Sequence, residues 1–561
     1  MSPVLTPAMP RRGPVEWAGA RWVGEVDEAV LWDPQLGSRL ELVDGTAYRA
    51  ARLLVTRAGG VAGFVDLPVE NGTVDTAALR DAVWRLPESG FADRSRLLPG
   101  EEPWITVVIC TRDRVDQLRE ALDSVLACDY PAFDVVVVDN ASASDALTRY
   151  VRDELRDARV SVVAERVPGL ARARNRGLAA AQGAIVAFTD DDVVVHRDWL
   201  RRLAEEFVAP EVWCVSGLVP SGELRTPVQA YFDQRVSWSS LLRRREFLLA
   251  KPPADLPMFP FSVGEFGTGA NFAVDRRRAL ELGGFDVDLG AGVATAGGED
   301  LDFFTRVLVA GGGLTVTPSA IVWHRHRTDL PALRVQARGY GTGLGAWLAK
   351  LATDRRMRGM ALARAPRALV RLLAKGGGSI AEDRAGQAPL DARMRREIRR
   401  VGWLELRSVL RGPVLFARLR RTHGGEAARL DPVPPRERRA WALVAVAAGA
   451  AALLSLWGVV PPPARLGLLL AGVGLGPGAL VRAWIPLPSA LTAMLVPATG
   501  LALALIGSSL MAQLALWQPA LLTAILGGAL LAAGAVVALL AQRAASRVGA
   551  RGAEATGRAA A

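Results

Sequence analysis

The sequence predicts an α/β fold: a domain with a mainly parallel sheet, a small α+β module before it and membrane-spanning helices after it. Three observations support this prediction. Apolar strand-like runs alternate with helical patterns between residues 104 and 323. Charged residues almost disappear between Trp441 and Gln542, and the first hundred residues contain short apolar runs separated by turns. The expected domains are 1–98 (α+β module), 99–350 (α/β domain), 351–439 (basic helices and linker), 440–541 (membrane helices) and 542–561 (disordered tail).

The amino-acid composition argues against some classes of function. The chain has 561 residues, of which 50% are hydrophobic and 22% charged, so apolar and charged residues must be segregated along it. Its net charge is +11. Nucleic acid is not an expected partner, because no recognised binding module and no basic patch with interleaved aromatic residues is present. Cys110, Cys128 and Cys214 show no paired spacing, which indicates a reducing, cytoplasmic compartment for that region.

The first module is predicted to contain a hairpin that turns at Gly59 and Gly60, followed by a helix over Thr76–Trp84. Its function is not evident from the sequence.

Four apolar stretches are candidate membrane spans, each near the 20 residues that cross a bilayer: 440–460, 464–481, 487–512 and 520–541. The second is short and glycine-rich, so a re-entrant segment is an alternative. Arginines cluster before the first span and after the fourth, which by the positive-inside rule places both flanks in the cytoplasm. The sequence therefore predicts a multi-pass protein of the inner (plasma) membrane, with everything before residue 440 cytoplasmic. The alternative is that the four stretches are buried helices of a soluble all-α domain, but such helices would normally show a polar face.

A basic stretch from Ala392 to Thr422 precedes these spans. Met394, Ile398, Val401 and Leu404 recur at helical spacing and give it one apolar face. Such a helix suits the surface of an anionic membrane, which makes membrane lipids an expected partner. A solvated basic linker helix is the alternative. A link of residues 376–388 is expected to separate this stretch from the α/β domain.

In the α/β region the sequence predicts four strands and a helix. The strands are Ile105–Cys110, Asp134–Asp139, Val160–Ala164 and Ala184–Thr189, and the helix is Leu170–Gln182. Ligands collect beyond the carboxyl ends of parallel strands. Polar residues stand at these ends: Thr111, Arg112 and Asp113; Asp139 and Asn140; and Asp190, Asp191 and Asp192.

Three adjacent carboxylates at a strand end repel one another unless a cation neutralises them. Oxygen ligands favour Mg²⁺ or Mn²⁺, which commonly bind through one or two carboxylates and a substrate diphosphate. A solvated acidic loop is the alternative interpretation. His324 ends a later strand-like run and is a further candidate ligand, and an imidazole would favour Mn²⁺ over Mg²⁺.

Two further features carry charged side chains. The helix from Leu170 has Arg172, Arg174 and Arg176, and residues two apart on a helix cannot all face one cleft. Glu299 and Asp300 stand directly before an amphipathic helix. There they are either functional acids or acids that the helix dipole stabilises.

These motifs, in this order, resemble the family 2 glycosyltransferases, which implies the Rossmann-like GT-A fold. The resemblance covers about Pro103 to Trp347. It rests on VVICTRDR (107–114), VVVVDNAS (135–142), GLARARNRGL (169–178), FTDDDV (188–193), GTGANFAV (267–274), GGEDLDF (297–303) and WHRH (323–326).

The resemblance implies a role for each candidate residue. Asp300 is in the place of the catalytic base, with Glu299 beside it. Asp192, Asp190 and His324 are the expected metal ligands. The expected binding residues for the nucleotide sugar are Thr111, Arg112, Asp139, Arg174, Asp190 and Asp191. Gly269, Asn271 and Trp323 are expected on the acceptor side.

The reaction that the resemblance implies is inverting transfer of a sugar from a nucleotide sugar to an acceptor hydroxyl, with Mn²⁺ or Mg²⁺. The expected acceptor is a lipid-linked or cell-envelope glycan at the cytoplasmic membrane face. The QxxRW motif of processive synthases is absent, since the chain has Gln336-Ala337-Arg338-Gly339-Tyr340, so chain extrusion is not expected. Residues 338–343 either line the acceptor entrance or form a flexible connection. A non-catalytic nucleotide-sugar-binding scaffold is the alternative function, and the intact Glu299 and Asp300 pair argues against it.

Overall fold

A computed structural model describes residues 4–87, 97–98, 100–236, 240–354, 356–364, 392–423, 434–484, 492–493, 496–501, 503–504 and 518–559. The chain divides into two units, the first Met1–Lys350 with Arg356–Leu419 and the second Leu351–Arg355 with Arg420–Ala561. The predicted link at 376–388 and most of the predicted span 487–512 lie outside the described residues.

Within residues 4–87, two three-stranded sheets form the N-terminal module. Its elements are β1 (Val4–Leu5), β2 (Arg21–Asp27), α1 (Glu28–Leu31), β3 (Arg39–Leu42), β4 (Ala50–Arg57), β5 (Gly60–Pro68), β6 (Thr73–Asp75) and α2 (Thr76–Trp84). The hairpin of β4 and β5 and the helix over Thr76–Trp84 confirm the prediction for this region. Buried Trp22, Leu53 and Leu79 belong to a core of the module's own.

The larger α/β domain is built on one mixed sheet. Its strands are β7 (Ile105–Thr111), β8 (Phe133–Asn140), β9 (Val160–Glu165), β10 (Ile185–Thr189), β11 (Val193–Val195), β12 (Val212–Leu218), β13 (Arg245–Phe247), β14 (Asn271–Asp275) and β15 (Gly313–His324). Their order is β11-β15-β12-β14-β10-β7-β8-β9, with β13 paired to β15. Strands β10, β7, β8 and β9 are parallel, and β14 runs antiparallel between β10 and β12.

Seven helices accompany this sheet among the described residues. They are α3 (Val115–Leu126), α4 (Ala146–Arg149), α5 (Leu170–Ala180), α6 (Trp199–Ala204), α7 (Pro227–Arg235), α8 (Arg276–Glu281) and α9 (Glu299–Ala310). Side chains alternate along each strand, so Val107 and Ile109 enter one core while Val108 enters the core on the opposite face. Burial on both faces explains the nearly continuous apolar strands, and the predicted α/β domain is confirmed.

Three further helices lie wholly or mostly in the first unit: α10 (Leu330–Thr353), α11 (Ala392–Val409) and α12 (Gly412–His423). Val401 of α11 is fully buried in a cluster with Phe232 and Leu333. Gly341 and Gly345 of α10 admit the α11 backbone, because a Cβ at either position would collide with a carbonyl oxygen of that helix. The apolar face of α11 therefore packs on protein, which differs from the predicted lipid-facing helix. Residues 338–343 lie inside α10 and are not a flexible connection.

The second unit contains α13 (Pro435–Leu454), α14 (Pro462–Arg482) and α15 (Pro519–Ala559). Two stretches are long and apolar enough to cross a membrane, Pro462–Arg482 and Pro519–Arg543, so the described residues support two of the four predicted spans. The second predicted span is one continuous helix over Pro462–Arg482. The last helix runs to Ala559, where the sequence predicted a disordered tail, because alanine favours helix strongly.

The helices of this unit approach one another through small residues. A Cβ on Gly449 would lie 2.7 Å from the carbonyl oxygen of Gly527, and one on Gly472 would lie 2.7 Å from that of Ala448. Large apolar side chains point outward instead, with Leu470 63% and Ile525 59% exposed. Small residues inside and large apolar residues outside are typical of helices packed in a bilayer.

Candidate active site

The three aspartates after β10 point to three different partners. The carboxylate of Asp191 accepts a hydrogen bond from the Thr111 hydroxyl at 2.7 Å. Asp192 lies 3.3 Å from the Nε2 atom of His324, and Asp190 lies 3.7 Å from the Arg174 guanidinium. Divergent partners reduce the repulsion that three adjacent carboxylates would otherwise suffer. The triplet is therefore part of a built site and not a solvated acidic loop.

Asp190, Asp192 and His324 form a group that could hold a metal ion. One ligand atom from each lies within 4.8 Å of the others. The fold brings them together because β11, directly after the triplet, pairs antiparallel with the end of β15, with Val193 opposite His324. Two carboxylate oxygens and an imidazole nitrogen fit a divalent cation such as Mn²⁺ or Mg²⁺.

Burial and charge set the ionisation of this group. Burial opposes ionisation of Asp192, but His324, Arg327 and Arg114 outweigh it and hold the pKa of Asp192 well below its usual range. Burial alone would lower the pKa of His324, yet Asp192 raises it overall. Burial raises the pKa of Asp190 to about 6, against the opposing charge of Arg174. The ionisation of each of these three residues thus depends on the charges of its neighbours.

Arg174 connects the triplet to the acids at the start of α9. Its guanidinium donates to Glu299 at 2.8 Å and to the carbonyl oxygen of Gly269 at 2.9 Å, while its side chain is almost fully buried. Burial, followed by the charge of Asp300, raises the pKa of Glu299 to about 7 despite Arg174. Removing one partner of such a buried ion pair typically costs about 3–5 kcal/mol, so this link is a strong constraint.

Asp300 is held by backbone amides. Its Oδ2 atom accepts a hydrogen bond from the Gly269 amide at 3.0 Å, and its Oδ1 atom accepts one from Leu301 at 2.9 Å. Gly298 precedes the helix with φ of +91°, a left-handed conformation that glycine adopts without strain. The carboxylate is half-buried and fixed in orientation, as a general base requires.

A cavity of about 480 Å³ opens at the carboxyl ends of β7 and β8. Its lining includes Thr111, Asp113, Arg114 and Ser142, together with Arg12 of the N-terminal module. Asp139 stands opposite Thr111 in the sheet and accepts a hydrogen bond from the Ser142 amide. The cavity is large enough for a nucleoside, and apolar side chains such as Val115 and Leu147 line it beside the polar ones.

Three predicted site residues are placed elsewhere. Asn271 is fully buried in β14, where its amide bonds Leu218, Ala320 and Trp199, so none of its polar groups faces an acceptor. Trp323 is a core residue, 3% exposed. Arg112 points outward, half exposed, and its nearest described carboxylate partner is Asp113 at 4.0 Å. Of the three acceptor-side predictions, only Gly269 lies beside Asp300.

Three residues beside the site, Arg114, Arg327 and Arg12, were not predicted from the sequence, and Tyr340 was predicted only as part of residues 338–343. Arg114 lies 3.3 Å from Asp191, and Arg327 lies 3.7 Å from Asp192. Burial raises the pKa of Tyr340, and the negative charges of Asp300 and Asp190 raise it further. Its ring centroid lies 6.1 Å from that of Phe232, which lies 4.5 Å from that of His326. Arg12 belongs to a different module. The only signal for the first two was their place in the sequence, since Arg114 lies inside the motif VVICTRDR and Arg327 directly follows the motif WHRH.

The comparison with family models matches residues 106–265 to the glycosyl transferase family 2. That segment contains the acid triplet, Arg174 and the cavity residues Thr111 to Ser142.

Two curated bacterial proteins show the extent of the similarity. The pre-mycofactocin glycosyltransferase of Mycobacterium tuberculosis is 32% identical over 230 residues, which cover 40% of this chain and 43% of that protein. The chain thus matches less than half the length of this relative. The succinoglycan biosynthesis protein ExoM of Rhizobium meliloti is 32% identical over 236 residues, which cover 40% of this chain and 68% of that protein.

Among solved structures, a mannosyltransferase from Pyrobaculum calidifontis in complex with GDP-Man and Mn²⁺ is 20% identical. The structural alignment covers 82% of this chain and 93% of the mannosyltransferase chain, with a TM-score of 0.34. The sequence similarity, which extends over two thirds of ExoM, establishes the relationship: this chain belongs to glycosyl transferase family 2.

Proposed function

We propose that the protein is an inverting glycosyltransferase that moves a sugar from a nucleoside diphosphate sugar to an acceptor hydroxyl. The observation that carries this proposal is the convergence of two sets of groups on Arg174. Asp190 of the candidate metal group lies 3.7 Å from its guanidinium, and Glu299 lies 2.8 Å from it, directly before Asp300. A cation-binding group thus stands next to a fixed carboxylate.

The donor would bind across the carboxyl ends of the strands. The nucleoside fits the cavity lined by Thr111, Arg114 and Ser142, and the diphosphate would then lie toward Asp190, Asp192 and His324. A divalent cation held by these three residues would neutralise negative charge on the leaving nucleoside diphosphate. Arg114 and Arg327 stand close enough to Asp191 and Asp192 to add positive charge at the same place.

Asp300 is the proposed general base. It would accept the proton of the acceptor hydroxyl as that oxygen bonds to the anomeric carbon, while the bond from this carbon to the diphosphate breaks and its electron pair leaves with the nucleoside diphosphate. Direct displacement of this kind inverts the anomeric configuration. Glu299 is already committed to Arg174, so its proposed role is to hold that arginine in place.

We propose a location at the cytoplasmic face of the inner membrane, with residues 440–541 as the membrane domain and 99–350 as the catalytic domain. Two apolar helices with outward-facing large side chains support the membrane association. The arginines that flank the predicted spans support the cytoplasmic orientation. Lipid-linked or envelope glycans are the proposed acceptors. The names of the relatives, one for pre-mycofactocin and one for succinoglycan biosynthesis, do not agree on a single acceptor.

The test is donor turnover by the purified full-length protein. With Mn²⁺ and a panel of nucleotide sugars, we expect release of nucleoside diphosphate from one of them, and none after chelation. Asp192→Asn should reduce the rate about 100-fold or more, because it removes charge stabilisation of the leaving group.

The matched control is Asp153→Asn, which alters an exposed aspartate paired with Arg152 and should leave the rate unchanged. Nucleotide binding without turnover for every donor and acceptor would contradict the proposal and favour a non-catalytic scaffold.

A further inference from the structure

The N-terminal module reaches the candidate metal group through Arg325, the residue between the two histidines of the WHRH motif. Arg325 is 9% exposed. Its guanidinium donates to the carbonyl oxygen of Pro10 at 2.9 Å and to Glu120 at 2.9 Å, and it lies 2.6 Å from Glu223. Its side chain is therefore fixed from three directions, one of them the N-terminal segment, which we define as residues 7–14.

The backbone of Arg325 joins the two halves of the metal group. Its amide donates to the carbonyl oxygen of Asp192 at 3.1 Å, and the preceding residue is His324. The carbonyl oxygen of His324 accepts from the Gly222 amide at 2.9 Å. A shift of Arg325 would therefore change the separation of Asp192 and His324.

Arg12 contacts the same two carboxylates as Arg325, those of Glu120 and Glu223. Its guanidinium donates to Glu120 at 2.7 Å, and its backbone amide donates to Glu223 at 3.1 Å. Each carboxylate thus bridges Arg325 and the N-terminal segment. Arg225 closes the network, since it donates to Glu223 at 3.1 Å and to the carbonyl oxygen of Pro14 at 3.0 Å.

This network has the properties of an outer shell around a metal site. Glu223, Arg225 and Arg325 are each at most 9% exposed, so solvent cannot replace a lost partner. Groups that orient metal ligands typically change metal affinity about 10–100-fold when they are removed. We propose that Arg325 is a positioning residue that sets the geometry of Asp192 and His324, and that the N-terminal segment holds it in place through Glu120 and Glu223. This inference rests on the proposed function only for the identity of the metal group.

The test is the affinity of the full-length protein for Mn²⁺ alone, measured by the electron paramagnetic resonance signal of free Mn²⁺. Arg325→Met should raise the dissociation constant about 10–100-fold. Arg325→Lys should recover part of the affinity, because lysine retains the charge and loses the planar fork. Arg12→Met should weaken binding to a smaller extent, although Arg12 touches no metal ligand.

The control is Arg39→Met, which breaks an exposed ion pair with Glu70 inside the N-terminal module and should leave Mn²⁺ affinity unchanged. Wild-type affinity in folded Arg325→Met and Arg12→Met proteins would overturn the inference while leaving the proposed function intact. If Arg325→Met does not fold, Arg12→Met and Glu120→Gln decide in the same way. Failure of the wild-type protein to bind Mn²⁺ would contradict the metal group itself.

Discussion

The pKa of a buried acid in this protein depends on its burial and on the charges beside it. Glu25 of β2 lies 3.4 Å from the Nε2 atom of His196, at a contact between the N-terminal module and the α/β domain. Burial, followed by repulsion from Asp198 and Asp27, raises the pKa of Glu25 from 4.5 to about 7. The folded protein therefore binds this proton more tightly than the unfolded chain does. The resulting stabilisation is complete below pH 4.5 and is lost as the pH rises through 7.

We expect Glu25→Gln to be more stable than the wild-type protein at pH 8 and nearly equal to it at pH 5, because glutamine resembles the protonated carboxyl. The expected gain at pH 8 is about 1 kcal/mol, or about 2–4 °C in Tm. Thermal unfolding of both proteins at the two pH values measures it. An equal difference at both pH values, or a less stable variant at pH 8, would contradict the assignment.

Residue-level prediction placed the acid triplet after a strand, His324 at the end of a strand and Asp300 at the start of a helix, and the structure has these residues at those places. It brings one ligand atom each of Asp190, Asp192 and His324 within 4.8 Å of one another. The sequence pointed to Arg112, whereas in the structure Arg114 is the arginine beside Asp191, because periodicity does not orient side chains in a loop. Asn271 and Trp323 were misplaced because both faces of this sheet are buried, so alternation does not identify a face that meets substrate.

At the scale of elements, strands and helices were predictable because their apolar patterns were strong. The packing of α10 was not predictable, because it depends on glycines that contact the backbone of residues distant in the sequence. A Cβ at Gly343 would lie 2.5 Å from the carbonyl carbon of Gly297, in the loop before Glu299. Close contact between this helix and the loop therefore positions the start of α9.

Gly343→Ala should force α10 away from that loop. The expected cost is about 1–3 kcal/mol of stability, as for other overpacked sites, with a lower rate of donor turnover. Gly402→Ala in α11 is the control, because no atom lies within 4 Å of the added Cβ there. Melting temperature and nucleoside diphosphate release measure both effects. Equal behaviour of the two variants would show that the contact at Gly343 does not constrain the site.

At the scale of the whole molecule, the chain consists of two units with opposite surface chemistry. The first buries apolar residues in cores around its sheets, and the second exposes leucine and isoleucine along its helices. Composition alone predicted this division. It did not predict that α11 would pack on the first unit, because an amphipathic pattern does not say whether protein or lipid covers the apolar face.

The proposed topology places the connection between α13 and α14 outside the cytoplasm. Val459 in this connection is 93% exposed. A membrane-impermeant thiol reagent should label Val459→Cys in intact bacterial cells and should label Arg418→Cys only after lysis. Labelling of both positions only after lysis would contradict the proposed spans.

A donor held at the metal group should lie within proton-transfer reach of Asp300. The variant Asp300→Asn removes the proposed base and is assayed as the full-length protein with Mn²⁺ and an active nucleotide sugar. We expect unchanged affinity for the nucleoside diphosphate and a rate of sugar transfer lower by about 10²–10⁴-fold. Transfer at the wild-type rate by the folded variant would show that Asp300 is not the base.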